Sequence, residues 1–458
     1  MTQNASRREF LKRASVLSAS GAAAPIAVNL ATIGSASAAS ATDYKALVCI
    51  FLFGGNDYGN TVIPYDTSNF ESYKTLRQNL HIPRNELAAT ALNAPNLAGR
   101  QYALAPEMKS LADIFNQDKK LAVIANVGTL IQPTTKAQFL GRTVPLPPKI
   151  ASHNDQQSFW QAIGAEGTSN GWGGRMGDLL MGQNANSSLT CISPNGNSVF
   201  LAGKKVVQYQ CSNAGAVAIN GIKAPLFGSR DCSNTLLSLL TGAQSTVMGN
   251  DLADLYKRSL DNEILFNTAL QTSGSIDFSD WPEEQANPLA DQLKFVTRAI
   301  YAGLNSGNKR QVFLVGMGGF DTHSGLLTAH PVLRQKVAEA MSAFYQTTVA
   351  LGIADKVTSF TGSDFGRTWG NGEGSDHGWG SFHFVMGGAV KGGTVVGTPP
   401  AVANNGPDDF GQGRLIPTTS VDQVAGTLGK WMGLTDSELL DVLPNLGNFT
   451  TRNLGFMA

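Results

Sequence analysis

The sequence predicts an α/β fold with a mainly parallel central sheet flanked by helices. Three observations point there. Continuous apolar runs of strand length, such as "ALVCIFLFGG" (46–55) and "RQVFLVGMGG" (310–319), suit strands buried on both faces. These runs alternate with amphipathic stretches of helical period, among them "PLADQLKFVTRAIYAGL" (288–304). Several runs open into Gly-rich loops carrying Asp or His, which is where a parallel sheet places its ligands, beyond the strand ends.

Residues 6–12, Ser-Arg-Arg-Glu-Phe-Leu-Lys, resemble a twin-arginine export signal. A mildly apolar stretch from Ala14 to Ile33 follows, diluted by Ser and Gly, and then an A-x-A cleavage pattern at Ala36-Ser37-Ala38. The expectation is a signal over 1–38, recognised by the twin-arginine translocation machinery. The mature protein, from about Ala39, would be periplasmic or secreted with no stable membrane span.

Along the mature chain, 46–55 is the first strand, 106–119 a helix and 121–128 a second buried strand. A Pro-rich loop (143–149) precedes a helix over 152–164 with Ser152 as its N-cap. The Gly-, Ser- and Asn-rich stretch 168–248, with short pieces "SVFLAG" and "KVVQYQ", predicts a small β-rich insertion. Helices are expected over 251–270, 288–304, 331–353 and 420–433, and strands over 310–319, 356–362, 382–388 and 393–399. The whole of 39–458 reads as a single domain carrying that insertion.

The 458 residues hold 34 basic and 34 acidic side chains, and this balance gives no reason to expect nucleic acid or an anionic membrane surface as a partner. Charged residues make up 15% against roughly 25% in an average domain, and there are 50 glycines, a loop-rich make-up. The four cysteines form no CxxC pair, which argues against a thiolate zinc site. In an oxidising compartment Cys211–Cys232 would close a short loop, whereas Cys49, in an apolar strand, reads as a buried thiol.

The chemistry lies in the loops. After 46–55 comes "GGNDYGN" with Asp57; after 310–319, "FDTHSG" with Asp321 and His323; after 356–362, "SDFGRTWGN" with Asp364 and Arg367. Before 382–388 stands "SDHGWGSFH" with Asp376, His377 and His383. Four of the six histidines (153, 323, 377 and 383) fall in candidate loops. Oxygen and imidazole donors without thiolate suit divalent zinc, manganese, magnesium or calcium. Two such ions would need roughly six to eight ligands, about the number present. Arg367 would offer a bidentate fork to non-bridging oxygens. Each Asp alone is equally suited to capping a turn, and each His to a packed or solvated position.

Taken together and in order, the twin-arginine leader, "FLFGGNDYGNTVIP", "SHNDQQSFW", "GGFDTH", "SDFGRT" and "SDHGWGSFHFVMGGAVKGG" resemble the exported family called domain of unknown function 1501. That family is related to the alkaline phosphatase and sulfatase superfamily. The resemblance implies an alkaline phosphatase-like fold with a two-metal site built from strand-end Asp and His. On it, Asp57 matches the ligand closing the first strand, and Ser152 is the nearest match to the nucleophile, with a plain N-cap as the other reading. Asp321 and His323 match a later pair, although they stand two apart rather than the superfamily's four. Two alignments remain for the last ligands: Asp376-His377 as a pair with His383 following, or Asp364 as the strand-end carboxylate with His377 or His383 last. No Cys-x-Pro-x-Arg occurs, which argues against a formylglycine sulfatase. The implied activity is a metal-dependent hydrolysis of phosphate or sulfate esters, small or polymeric and anionic. The alternative is a non-catalytic exported protein of the same fold that binds a glycan or a partner protein.

Overall fold

Strand β1 (Lys45–Leu52) shows how the sequence builds the sheet. Its side chains alternate between two layers, as the period of two requires. Ala46, Val48, Ile50 and Leu52 enter one apolar cluster, and Leu47, Cys49 and Phe51 enter another on the opposite face. β4 (Leu121–Gly128) and β8 (Arg310–Met317) divide their residues in the same way. This is why these segments are apolar throughout rather than alternating.

The computed structural model describes residues 41–458 apart from 217, 218, 273, 275 and 371. The expected export signal lies outside them. Residues Tyr44–Ala458 form one compact unit. Its central sheet runs β11 (Thr394–Val396), β4, β10 (Ser381–Gly387), β9 (Val357–Ser363), β1, β8, β5 (Cys191–Ser193), β6 (Tyr209–Ser212), β7 (Gly215–Ala216), and β12 (Thr419–Ser420) pairs beside β4. The pairs β1–β8, β1–β9, β5–β8, β5–β6, β11–β4 and β12–β4 are parallel. β10 runs against both β9 and β4, and β7 against β6. A separate two-stranded sheet joins β2 (Val62–Pro64) to β3 (Tyr102–Leu104).

Helices cover both faces. On one, helices Pro288–Asn305 and Leu326–Ala350 pack Leu293, Ile300, Met341 and Phe344 onto the sheet. On the other, helices His153–Ala162, Trp172–Leu180 and Val421–Met432 supply Trp160, Trp172, Met176 and Leu428. The expected α/β architecture with a largely parallel sheet is therefore present. Among the described residues, no helix is long and apolar enough to cross a membrane.

Two expectations need correction. The stretch 168–248 is not a separate β-rich piece: it contributes helices Trp172–Leu180 and Arg230–Thr241, and its short strands extend the edge of the central sheet. "SVFLAG" forms a 3₁₀ turn over Val199–Leu201 because its apolar residues must fill the layer under helix Trp172–Leu180 rather than pair in the sheet. Nor are Cys211 and Cys232 bridged; all four cysteines are free, and Cys211 packs in the core with its Sγ 3.4 Å from the Ser193 carbonyl.

Candidate metal centre

The sheet brings the polar loops to one edge. Parallel β8 and β9 end there with Asp321 and Asp364 following, and antiparallel β10 begins there, so the loop before it meets the loops after them. The segments around Arg367 and His377 pair as a short antiparallel bridge. Close packing of these loops depends on glycine. Gly54 has φ +115°, and a Cβ there would lie 2.5 Å from the Asp321 backbone nitrogen. A Cβ on Gly374 would lie 2.3 Å from the His323 carbonyl carbon.

At this edge His153, His323 and His377 turn their Nε2 atoms towards Asp321. His323 Nε2 and His377 Nε2 each lie 3.1 Å from Asp321 Oδ1. His153 Nε2 lies 3.3 Å from Oδ2, and the two nitrogens of His323 and His377 are 3.0 Å apart. The donor atoms of His153, Asp321 and His377 all fall within 4.8 Å of one another.

The other nitrogen of each ring is anchored. His153 Nδ1 is 2.6 Å from Asp364 Oδ2, His323 Nδ1 is 3.2 Å from Asp376 Oδ1, and His377 Nδ1 is 2.8 Å from the Ala151 carbonyl. Carboxylates and carbonyls only accept, so each Nδ1 carries a proton, and each Nε2 is left either to donate to Asp321 or, without its proton, to hold a cation. The 3.1 and 3.3 Å separations of the His377 and His153 nitrogens from the Asp321 carboxylate match the ~3.3 Å edges of a tetrahedron with ~2.0–2.1 Å bonds. Carboxylate or carbonyl partners behind the ligating histidines are the usual outer layer of such sites.

That outer layer is itself held. Buried Asp364 also accepts from Gly54 N–H at 3.2 Å and Gln157 Nε2 at 2.8 Å. The Asp376 N–H donates to Thr368 Oγ1 at 2.8 Å. Arg367, fully buried, donates through Nη1 to Asp321 Oδ1 at 2.5 Å and the Gly54 carbonyl at 3.1 Å, and through Nε to Ser375 Oγ at 3.2 Å. Burial pushes the Asp321 carboxyl up, but the Arg367 hydrogen bond and charge outweigh it and hold it below the ordinary range. The hydrogen bond that His153 donates to Asp364 raises the His153 pKa.

Set against this edge, the Protein of unknown function (DUF1501) family model matches residues 44–443, every donor included. The chain belongs to the DUF1501 family. No curated protein matches it.

Within this DUF1501 chain the expected site residues separate. Asp321, His323 and His377 converge as donors, and Asp364 and Asp376 stand behind two of the rings rather than at the centre.

Asp57 does not join them. The turn Tyr58–Asn60 directs it to the opposite layer, where Arg77 takes both its oxygens at 2.9 and 2.7 Å in a fully buried pair. Burial raises the Asp57 carboxyl, and the charges of Arg77, His330 and Arg334 together bring it below its usual value. His383 is also absent from the centre. It lies within β10, buried beside Trp160, with Nδ1 3.3 Å from Thr361 Oγ1, and burial lowers its pKa to about 3. The period of two explains this, since a residue inside a covered strand faces a core layer and not the strand end.

Ser152 Oγ donates to Asp155 Oδ2 at 2.8 Å and makes no cap bond, and Arg367 is engaged as a brace rather than as an open fork. The residue not given a ligand role from sequence is His153. Its signal was one position from Ser152: a His in the first turn of a helix that starts at the ligand edge.

Proposed function

We propose that this protein is an exported metal-dependent hydrolase of phosphate or sulfate esters, with a fold of the alkaline phosphatase type. The export assignment stays with the twin-arginine-like leader, and the fold assignment is supported by donors gathered at the ends of a largely parallel sheet. One observation carries the chemistry: the Nε2 atoms of His153, His323 and His377 each lie 3.1–3.3 Å from the Asp321 carboxylate, and each ring has an acceptor behind its Nδ1.

Among the described residues a single such group occurs, His153, Asp321 and His377, with His323 beside it, so the proposal is one ion rather than two. Three nitrogens in the donor set favour zinc or manganese over magnesium or calcium, which prefer oxygen. A divalent ion held there lowers the pKa of water and draws charge from an ester oxygen. The chain's own residues do the rest. Asp364, Asp376 and the Ala151 carbonyl keep the rings oriented, and Arg367 keeps Asp321 ionised. Arg414, whose Nε donates to the His377 carbonyl at 3.2 Å, adds positive charge near the centre for an anionic group. We assign water as the nucleophile; the competing reading is Ser152, whose hydroxyl donates to Asp155.

The test is metal analysis of the purified protein together with turnover of p-nitrophenyl phosphate, bis-p-nitrophenyl phosphate and p-nitrophenyl sulfate. About one ion per chain and hydrolysis of at least one ester are expected, both lost in Asp321→Ala. Activity that disappears in Ser152→Ala while the metal remains bound would point back to a serine nucleophile. Bound metal with no turnover of any ester would favour the non-catalytic alternative.

A further inference from the structure

Beside the metal donors lies a cleft of about 380 Å³ that the hydrolase assignment leaves unused. One wall is helix His153–Ala162, along which His153, Gln157 and Gln161 stand at i, i+4 and i+8 on one face. Gln157 links the two places: it lines the cleft and donates to Asp364, the carboxylate that holds His153. With a rise of ~1.5 Å per residue, the cleft runs ~6–12 Å from the metal-side ring.

Its chemistry differs from that of the centre. The polar lining is carboxamide and hydroxyl, with Asn154, Gln157, Gln161, Asn195 and Asn197 foremost, and no Lys or Arg contributes. The one carboxylate, Glu166, accepts from Asn154 Nδ2 at 3.2 Å. A site without cations gives no attraction to phosphate or sulfate. Carboxamides both donate and accept, as does every sugar hydroxyl. Phe53 adds an apolar surface suited to the C–H face of a sugar ring. The amide at the far end is fixed before any ligand arrives: Gln161 Oε1 accepts from Ser198 Oγ at 3.0 Å and Phe200 N–H at 3.2 Å. Pre-set polar groups of this kind reduce the ordering needed on binding.

Building on the hydrolase assignment, we propose that this cleft binds an uncharged sugar residue of the substrate, so that the ester at the metal centre is one carried by a carbohydrate. The experiment uses the zinc-loaded full mature chain and a panel of neutral gluco-, galacto-, manno- and N-acetylglucosamine oligosaccharides, measured by calorimetry. Asn197→Ala, at an exposed position, and Gln161→Ala are the test variants, with Asp321→Ala as the metal-centre control.

At least one neutral oligosaccharide is expected to bind, at least tenfold more weakly to Asn197→Ala and Gln161→Ala and with little change to Asp321→Ala. Binding unaffected by both cleft variants, or no binding by any neutral oligosaccharide, overturns the proposal. The two assignments fail separately. Hydrolysis of the p-nitrophenyl esters without sugar binding removes the cleft and keeps the hydrolase. Cleft-dependent sugar binding without ester hydrolysis does the reverse.

Discussion

Asp364 and Asp57 are both buried carboxylates just beyond strand ends, and replacement by Asn separates what they do. Asp364→Asn leaves a group that still accepts a hydrogen bond but weakens the hold on His153, so metal affinity should fall about 10–100-fold with the fold kept. Asp57→Asn removes the counter-charge of fully buried Arg77 and should destabilise the protein by about 3–5 kcal/mol. In the fraction that remains folded, metal binding should be unchanged. Metal titration and urea unfolding of the two variants check both outcomes, and equal metal loss in Asp57→Asn would return that residue to the site. His153, Asp321 and His377 were within reach of sequence reasoning because Asp and His in Gly-rich loops are few. Which of them share a centre was not, because a ligand role depends on the direction of a side chain and on the partner behind it, and neither is written in the residue's identity.

Loops and helix ends show the same division. Gly374 has no side chain to offer a metal, yet it approaches the His323 backbone more closely than any Cβ permits. Gly374→Ala should therefore shift the His323 loop and lower metal affinity at least tenfold without altering a ligand, which calorimetric zinc titration would read directly. Outside the candidate centre, Asp422 in the first turn of helix Val421–Met432 is buried, and burial lifts its pKa to about 7. Between pH ~4 and ~7 the folded state keeps a proton that the unfolded chain has released, so wild-type stability falls as pH rises through that window. The loss is on the order of 4 kcal/mol at most, three units at ~1.4 kcal/mol each. Asp422→Asn stays neutral throughout. Its stability relative to wild type should rise from pH 4 to 7 and then level off, as urea unfolding at pH 5 and pH 8 would show. The strands and long helices were legible from their periods, since each must bury one or two faces wherever it packs. "SVFLAG" was not: a short apolar run satisfies a strand or a packed turn equally, and the neighbouring helix decided.

For the molecule as a whole, the three segments that would hold the proposed ion come from distant parts of the chain, so such an ion would tie helix His153–Ala162, the loop after β8 and the loop before β10 together. An ion that binds only the folded state at a free concentration 100 times its Kd adds about 2.7 kcal/mol. Chelation should lower the melting temperature of the wild type and leave that of His377→Ala unchanged. Equal shifts in both would place the stabilising ion elsewhere.

The α/β class, the order of its elements and the edge at which the polar loops gather all follow from local pattern and composition. Burial period, strand-end loops and residue chemistry are properties of short segments, and they persist in any packing. Packing alone chose among the candidates. It turned Asp57 into the opposite layer against Arg77, sealed His383 inside β10, engaged Arg367 as a brace, and brought His153 to the centre in place of Ser152. A metal centre needs several donors within ~2 Å of one point. Only the sheet order and the glycine-tight loops, which join residues more than 200 positions apart, determine whether they meet there.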